Sequence, residues 1–503
     1  MSRSLLIALT LLSASCASSP PALSPSAPAP VVPAPSPRET ATVAAPPPSL
    51  ALSPDLGAWV DEYLSSYGKG WGDVAAMSGY VLVARDGKPV FGKGYGKANR
   101  ATGAVVDGDT RFRIASVTKT FTAVAILQLV ESGALRLDDP IGKYVPGLSA
   151  GGRVTIHHLL SHTSGIPNYT DDDALMKEPS KPHAQAKIVD AFASKPLLFE
   201  PGADYRYSNS DYFLLGMAME KVTGRSYADV MQARVFAPAG MTRTSAMDTR
   251  VWPNSAVGYS TNDQEVVPST VADLSLPFAA GSMISTANDL VRFDRALAAG
   301  TLLSAESMRL RVRPVKGGCA YGVGVGTPIG NWAVEDHSGG IEGFKSDFER
   351  IPQESLAIVV LANYDQLDTD EVLFAVREMV LTGKKVAGHV EPKQMPFDAP
   401  TLARYTGQYT LDEDSVKEWK GKVSDASFAS LRSMALVNRA GHLRTSEPTQ
   451  EVFLGADGAL FAKFGGVTFV PDASEFAGTG VVHRLTMKQG DAAWHYTRVA
   501  AKK

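Results

Sequence analysis

Cysteine is nearly absent, with two in 503 residues. Because Cys16 falls in a leader-like N-terminus, Cys319 is expected to be a solitary buried thiol, and both a disulfide framework and a cysteine-rich metal site are excluded. An excess of one charge is lacking too. A formal net charge of -3 and no block of Lys or Arg give no field suited to a nucleic acid, so none is expected as partner. The leading apolar run, Leu5 to Leu12, is too short to span a bilayer. What is present is ordinary for a globular protein of two or three domains: 44% hydrophobic and 20% charged residues.

The N-terminus, MSRSLLIALTLLSASC, joins Arg3 to that apolar run and to small residues, the pattern of a secretory signal over residues 1–17. Leu12 to Cys16 resembles the lipobox of bacterial lipoproteins, with Ser13 where leucine is usual, which implies an acylated Cys16. The alternative is cleavage near Ala17 and release. Either way the chain is expected outside the cytoplasm, in the cell envelope or periplasm, and with Cys16 acylated it is tethered to a membrane. Residues 18–49 are dominated by Pro, Ala and Ser, with 11 prolines between Ser19 and Pro48. Such a segment cannot bury apolar surface and extends, at polyproline pitch, to roughly 90 Å.

Two folded units are expected. Over residues 50–385, GYVLVARDGKPVFGKGY reads as a hairpin, residues 113 to 300 are mostly helical, and strand-like runs return from YGVGV to LAIVVLAN before a last helix at about 371–381. Strands at both ends with helices between predict an antiparallel sheet closed by the two chain ends, a helical insertion, and a cleft where they meet: an α/β (α+β) domain. Residues 398–503 carry short Thr, Val and aromatic-rich runs separated by Gly or Asp turns, which predicts a small antiparallel β-barrel.

Three patterns offer a serine nucleophile. In Ser116-Val-Thr-Lys119 the two polar side chains share a helix face, the helix N-terminus supplies a free N–H for an oxyanion, and Ala123 and Ile126 keep water from the amine. Taken alone, the tetrapeptide suits a capping serine and a solvated lysine better. Ser66 to Lys69 runs into glycines that end a helix, and Gly147-Leu-Ser149-Ala-Gly151 lacks the strand and helix that a nucleophile elbow needs. Ser116 gains from its company: Tyr207-Ser-Asn209 opens a helix, where a phenol relays a proton and an amide orients a carbonyl, and His337-Ser-Gly339-Gly340 lies on a strand edge.

These three motifs, in this order, together with TIHHLLSHTSGIPNY and FEPGADYRYSNSDYFLLG, resemble the serine beta-lactamase and penicillin-binding-protein-like hydrolases, in the class C-like branch, over about residues 55–385. The resemblance implies Ser116 as the acylated nucleophile, Lys119 and Tyr207 sharing general base and acid roles, and Asn209 on the substrate side. It further implies an oxyanion hole from the N–H groups of Ser116 and Gly340, and no metal or organic cofactor. The departure is His337 where lysine is usual. Without a fixed positive charge, the small-molecule or peptide substrate is expected to be an ester or amide rather than a penicillin or carboxylate-ended peptide. A protein of the cell envelope that keeps the fold but acylates slowly, as a sensor, is the competing expectation. The C-terminal unit resembles the lipocalin-like module of some relatives. His157, His158 and His162 are expected to be scaffold, Asp171 to Asp173 a solvated loop, and His442, His483 and His495 show no ligand spacing.

Overall fold

A computed structural model describes residues 50–67, 77–250, 252–262, 265–326, 332–388 and 394–419, then 431–439, 442–445, 451–455, 458–462, 467–472, 475, 480–489 and 492–499. The expected signal, Cys16, the proline-rich segment and Lys69 lie outside these residues.

In chain order the elements that build the site are α1 (Leu56–Ser66), β1 (Gly79–Arg85), β2 (Lys88–Tyr95), α2 (Thr118–Glu131), α3 (Ile156–Leu160), α4 (Asn209–Thr223), α5 (Phe278–Gly281) and α6 (Ala287–Ala298). Then follow β3 (Gly324–Gly326), β4 (Val334–Ile341), β5 (Phe344–Ile351), β6 (Leu356–Ala362) and α7 (Thr369–Thr382). The sheet runs β3-β4-β5-β6-β1-β2, with every neighbouring pair antiparallel. As expected, the two ends of the domain meet in it: Gly79 pairs with Ala362 and Arg85 with Leu356.

β6 is apolar at every position because both its faces are covered. Ala357, Val359 and Leu361 join the core beneath the helical insertion, whereas Leu356, Ile358, Val360 and Ala362 join the core under α1 and α7. α2 runs through the centre of the first core, buried along almost its whole circumference, with Phe121 stacked on Phe293 at 4.0 Å between ring centres. Each fully buried Leu, Ile or Phe there contributes about 1.5–3 kcal/mol. The helix ends are capped: Thr286 accepts from the Asp289 N–H, and Gly224 ends α4 in the left-handed region. β4 is fastened on its helical side by a buried ion network in which Glu335 takes Arg311 and Arg350, and Arg350 also reaches Asp294 on α6.

The C-terminal region forms a closed eight-stranded antiparallel barrel, as its composition predicts. Its strands are β7 (Gly407–Leu411), β8 (Ser433–Arg439), β9 (His442–Thr445), β10 (Glu451–Gly455), β11 (Leu460–Ala462), β12 (Thr468–Pro471), β13 (Arg484–Gln489) and β14 (Ala492–Arg498). They run β10-β9-β8-β7-β14-β13-β12-β11, and β10 pairs back onto β11 to close the barrel. Tyr409, Leu436, Leu443, Trp494 and Tyr496 fill its interior. Among the described residues no helix is long and apolar enough to cross a membrane.

Candidate active site

The nucleophile segment begins with Ala115, held in the left-handed region at φ 44°, a conformation that costs a non-glycine residue energy and tends to mark functional turns. It leads into a 3-10 turn, Ala115–Val117, and then directly into α2. Ser116 therefore sits on the turn entering the helix rather than in its first α-helical turn, while Lys119 lies in the helix proper. The two still meet: Lys119 Nζ is 2.9 Å from Ser116 Oγ.

Two further groups complete the amine's surroundings. Asn209 Oδ1, at the start of α4, lies 2.8 Å from Nζ, and so does the backbone carbonyl of Ala280 on α5. Both are acceptors only, so two N–H bonds of the amine are committed to them. Lys119 is wholly buried, and burial lowers its pKa well below the usual lysine range, an effect that Asp211 opposes only when ionised. A neutral amine donating twice has its lone pair directed at the third neighbour, the Ser116 hydroxyl. That is the arrangement of a general base on a nucleophile.

Tyr207 lies beside Ser116, whose hydroxyl opposes the effect of burial on the phenol, and its ring centre is 4.8 Å from Lys119 Nζ. Burial raises its phenol above the usual range, so it keeps its proton and is poised as an acid. Its loop is braced from residues 162–165: the Gly202 N–H donates to the Thr163 carbonyl at 2.8 Å and the Leu198 N–H to Gly165 at 2.8 Å. Gly165 permits this approach because a Cβ there would stand 2.2 Å from the Phe199 carbonyl oxygen. Asn209 in turn is fixed by a residue the sequence reasoning missed, Asn168, whose Oδ1 accepts the Asn209 N–H at 3.0 Å.

The third motif arrives on β4. His337 pairs with Phe348 and Gly339 with Ser346 across the ladder, so these alternate residues face the helical insertion. Gly339 lies against the nucleophile turn: a Cβ there would meet Ile114 O and Ser346 Oγ at 2.5 Å and Ser116 N at 3.0 Å. Ser346 Oγ donates to the Ile114 carbonyl at 2.8 Å and holds the two segments together. Because Ile341 pairs with Phe344 across a two-residue turn, alternation along the ladder points the Gly340 N–H away from β5. It points to the side where, among the described residues, β4 has no strand partner beyond Asp336. The N–H groups of Gly340 and Ser116 thus border one space beside the hydroxyl, where an oxyanion can be held.

Gly339→Ala is expected to push β4 off the nucleophile turn and lower kcat/KM about 100-fold, since misplacing a reacting group by an ångström costs that much. Steady-state kinetics on an ester substrate check this, and an unchanged kcat/KM would show that the strand does not dock as described.

His337 is buried, with its ring centre 6.3 Å from that of Tyr207. Its Nδ1 lies 2.6 Å from the Ser338 carbonyl, which fixes the proton on Nδ1 and leaves Nε2 an acceptor. Burial, reinforced by Lys119, lowers its pKa to about 3. It carries no charge at neutral pH, so the site has no cation where a lysine would stand.

The rival serines are apart from this site. Ser149 lies in a loop with its N–H bonded to Ala193, and Ser66 ends α1. His157 contacts the Tyr321 hydroxyl, His158 closes a capping box with Thr155, and Asp172 caps a short helix. Among the described residues no His, Cys, Asp and Glu are grouped to hold a metal. Cys319 is buried with its sulfur 3.1 Å from the Tyr205 hydroxyl, and the other cysteine, Cys16, lies outside the described residues.

Known proteins share this sequence pattern and fold. Penicillin-binding protein 4* of Bacillus subtilis (strain 168) is 28% identical over 372 residues, covering 69% of this chain and 82% of its own length. A penicillin-binding protein from Bacillus halodurans is 28% identical, with a TM-score of 0.57 over 64% of this chain and 98% of that one. A D-stereospecific amidohydrolase from Streptomyces is 29% identical, with a TM-score of 0.56 over 66% of this chain and 100% of that one. The Beta-lactamase family profile matches residues 66–378, and with the serine, lysine, tyrosine and glycine strand assembled on that fold, the chain belongs to the Beta-lactamase family of serine hydrolases.

Proposed function

We propose that this protein hydrolyses esters or amides through an acyl-enzyme on Ser116, and that its substrates do not present a free carboxylate to the third motif. The observation that carries the first part is the committed geometry of Lys119, with two carbonyl acceptors and one hydroxyl around a buried amine. Ser116 Oγ attacks the substrate carbonyl carbon while its proton passes to Lys119 Nζ. The resulting oxyanion takes the N–H groups of Ser116 and Gly340. Tyr207 then gives its proton to the departing alcohol or amine, and Lys119 returns one to the phenolate, so the serine proton ends on the leaving group. Water repeats the sequence on the acyl-enzyme and restores the hydroxyl.

The second part rests on His337. A neutral imidazole offers a lone pair, which suits a hydrogen-bond donor on the substrate and gives no ion pair to a carboxylate. One relative of similar identity acts on D-configured amides, which supports amides beside esters. Short acyl esters and D-amino-acid amides are expected to be turned over with kcat/KM at least about tenfold above nitrocefin or a peptide ending in D-Ala-D-Ala, the difference one ion pair makes. The reverse ranking in a panel with the purified protein would overturn the substrate assignment. Turnover of none of them, with slow labelling by a penicillin, would favour the sensor reading.

We further infer an extracytoplasmic location. Acylation of Cys16 tethers the protein to a membrane, whereas cleavage near Ala17 releases it. The two exclude one another. The intact mass of the mature chain decides between tether and release.

A further inference from the structure

Behind Lys119 and Tyr207 lie three buried side chains that the chemistry above does not use: His162, Ser164 and Asp211. His162 follows α3 with its backbone in the left-handed region at φ 55°, unfavourable for a residue with a Cβ unless its surroundings impose it. Its carbonyl accepts the Arg206 N–H at 3.0 Å and its Nδ1 accepts the Ser208 N–H at 3.3 Å. The residues on both sides of Tyr207 are therefore tied to one histidine, and the imidazole ring centre is 4.6 Å from that of the tyrosine.

The same Nδ1 has a second neighbour. Asp211 Oδ2, in the first turn of α4, is 3.1 Å away, while Asp211 Oδ1 accepts the Ser164 hydroxyl at 2.5 Å. A ring nitrogen carries either a proton or a lone pair. If Nδ1 carried the proton and gave it to an ionised Asp211, it would turn an N–H toward the Ser208 N–H, and that buried donor has no other acceptor among the described residues. If Nδ1 carries the lone pair, the Ser208 N–H is satisfied, but an ionised carboxylate would then face a lone pair. Both contacts are attractive only when the proton is on Asp211.

We propose that Asp211 is a protonated carboxylic acid which, with His162, forms a neutral positioning pair that fixes Tyr207 and leaves Lys119 without a counter-ion. The groups facing the pair are Lys119 from α2, His337 from β4, and the rings of Tyr205, Tyr207 and Tyr212. They supply an amine, an imidazole and neutral phenol rings, and no second acid. Burial raises Asp211 well above the carboxylate range, and burial with Lys119 and His337 lowers His162. The proposal rests on reading Lys119 as a free-amine base, but its main test is independent of turnover.

In infrared difference spectra at neutral pH, the C=O stretch of a protonated carboxyl is expected in the wild type and missing from Asp211→Asn. An asparagine there can donate to Nδ1 and accept from Ser164, so kcat/KM should stay within about threefold and the acid limb of its pH profile should not move. Absence of that band in the wild type, or an acid limb shifted down by about one pH unit in Asp211→Asn, would overturn the proposal, since either marks an ionised counter-ion to Lys119. His162→Phe removes the acceptor for Ser208 and should lower kcat about tenfold or more with KM little changed. His162→Asn, whose amide oxygen stands near the place of Nδ1, should recover most of that loss. Full activity in His162→Phe, or no recovery in a folded His162→Asn, would remove the positioning role.

Discussion

Alanine at position 116 is expected to lower kcat by at least about 10³-fold and to abolish covalent labelling by a fluorophosphonate probe. The loss is large because one oxygen is both the attacking atom and the leaving group of the second half-reaction. It is not total, because the Ser116 N–H belongs to the backbone and Ser116→Ala keeps it beside the N–H of Gly340. Substrate should therefore still bind, with KM changing far less than kcat. The fold should persist, since the hydrogen bond of Oγ stays within the site, to Lys119. Labelling that survives in Ser116→Ala would move the nucleophile elsewhere in the chain.

Lys119 is the second large effect, and it separates activity from stability. Lys119→Arg, which cannot become a free base, and Lys119→Met are each expected to lose about 10³-fold or more in kcat/KM at every pH, as removal of a general base does. In the wild type, kcat/KM should fall as pH drops through the depressed pKa of the buried amine. The substitution acts on stability in the opposite sense to its effect on activity. The unfolded chain binds a proton at the ordinary lysine pKa while the native amine does not, so below about pH 10.4 the lysine destabilises the fold, increasingly as pH falls to its native pKa, at about 1.4 kcal/mol per pH unit. Lys119→Met removes that burden and should melt higher than the wild type at neutral pH, with the gap closing as pH rises. Melting curves of both proteins across alkaline pH check this, and a lower Tm for Lys119→Met would show that the amine is not buried as a free base.

The parts of this site that were legible in the sequence are those carried by residue type and spacing. Ser116 and Lys119 are three apart, Tyr207 and Asn209 open a helix, and two glycines follow His337, so each motif marks itself. The hairpin at 79–95 and the barrel strands show in their alternation and turns. What was hidden depends on tertiary approach. The Ala280 carbonyl that takes the second amine proton belongs to a helix of four residues and could be supplied by any side chain at that position. Asn168 caps a helix from another loop. His162 reads as scaffold on its own, and Asp211, just ahead of the apolar run YFLLG, carries no local sign of the histidine it meets.

The pairing of β1 with β6 orders events during synthesis. By the time the ribosome has passed Gly340, the nascent chain holds every group the chemistry needs, from Ser116 to the oxyanion glycine. Yet β6 has still to emerge, and it is the strand that sits between β5 and β1. Until then the first hairpin has no sheet to join and the glycine strand has no firm backing from which to press on the nucleophile turn. Reactivity is therefore withheld from the unfinished polypeptide, and a product truncated before Leu356 would be chemically complete but inert.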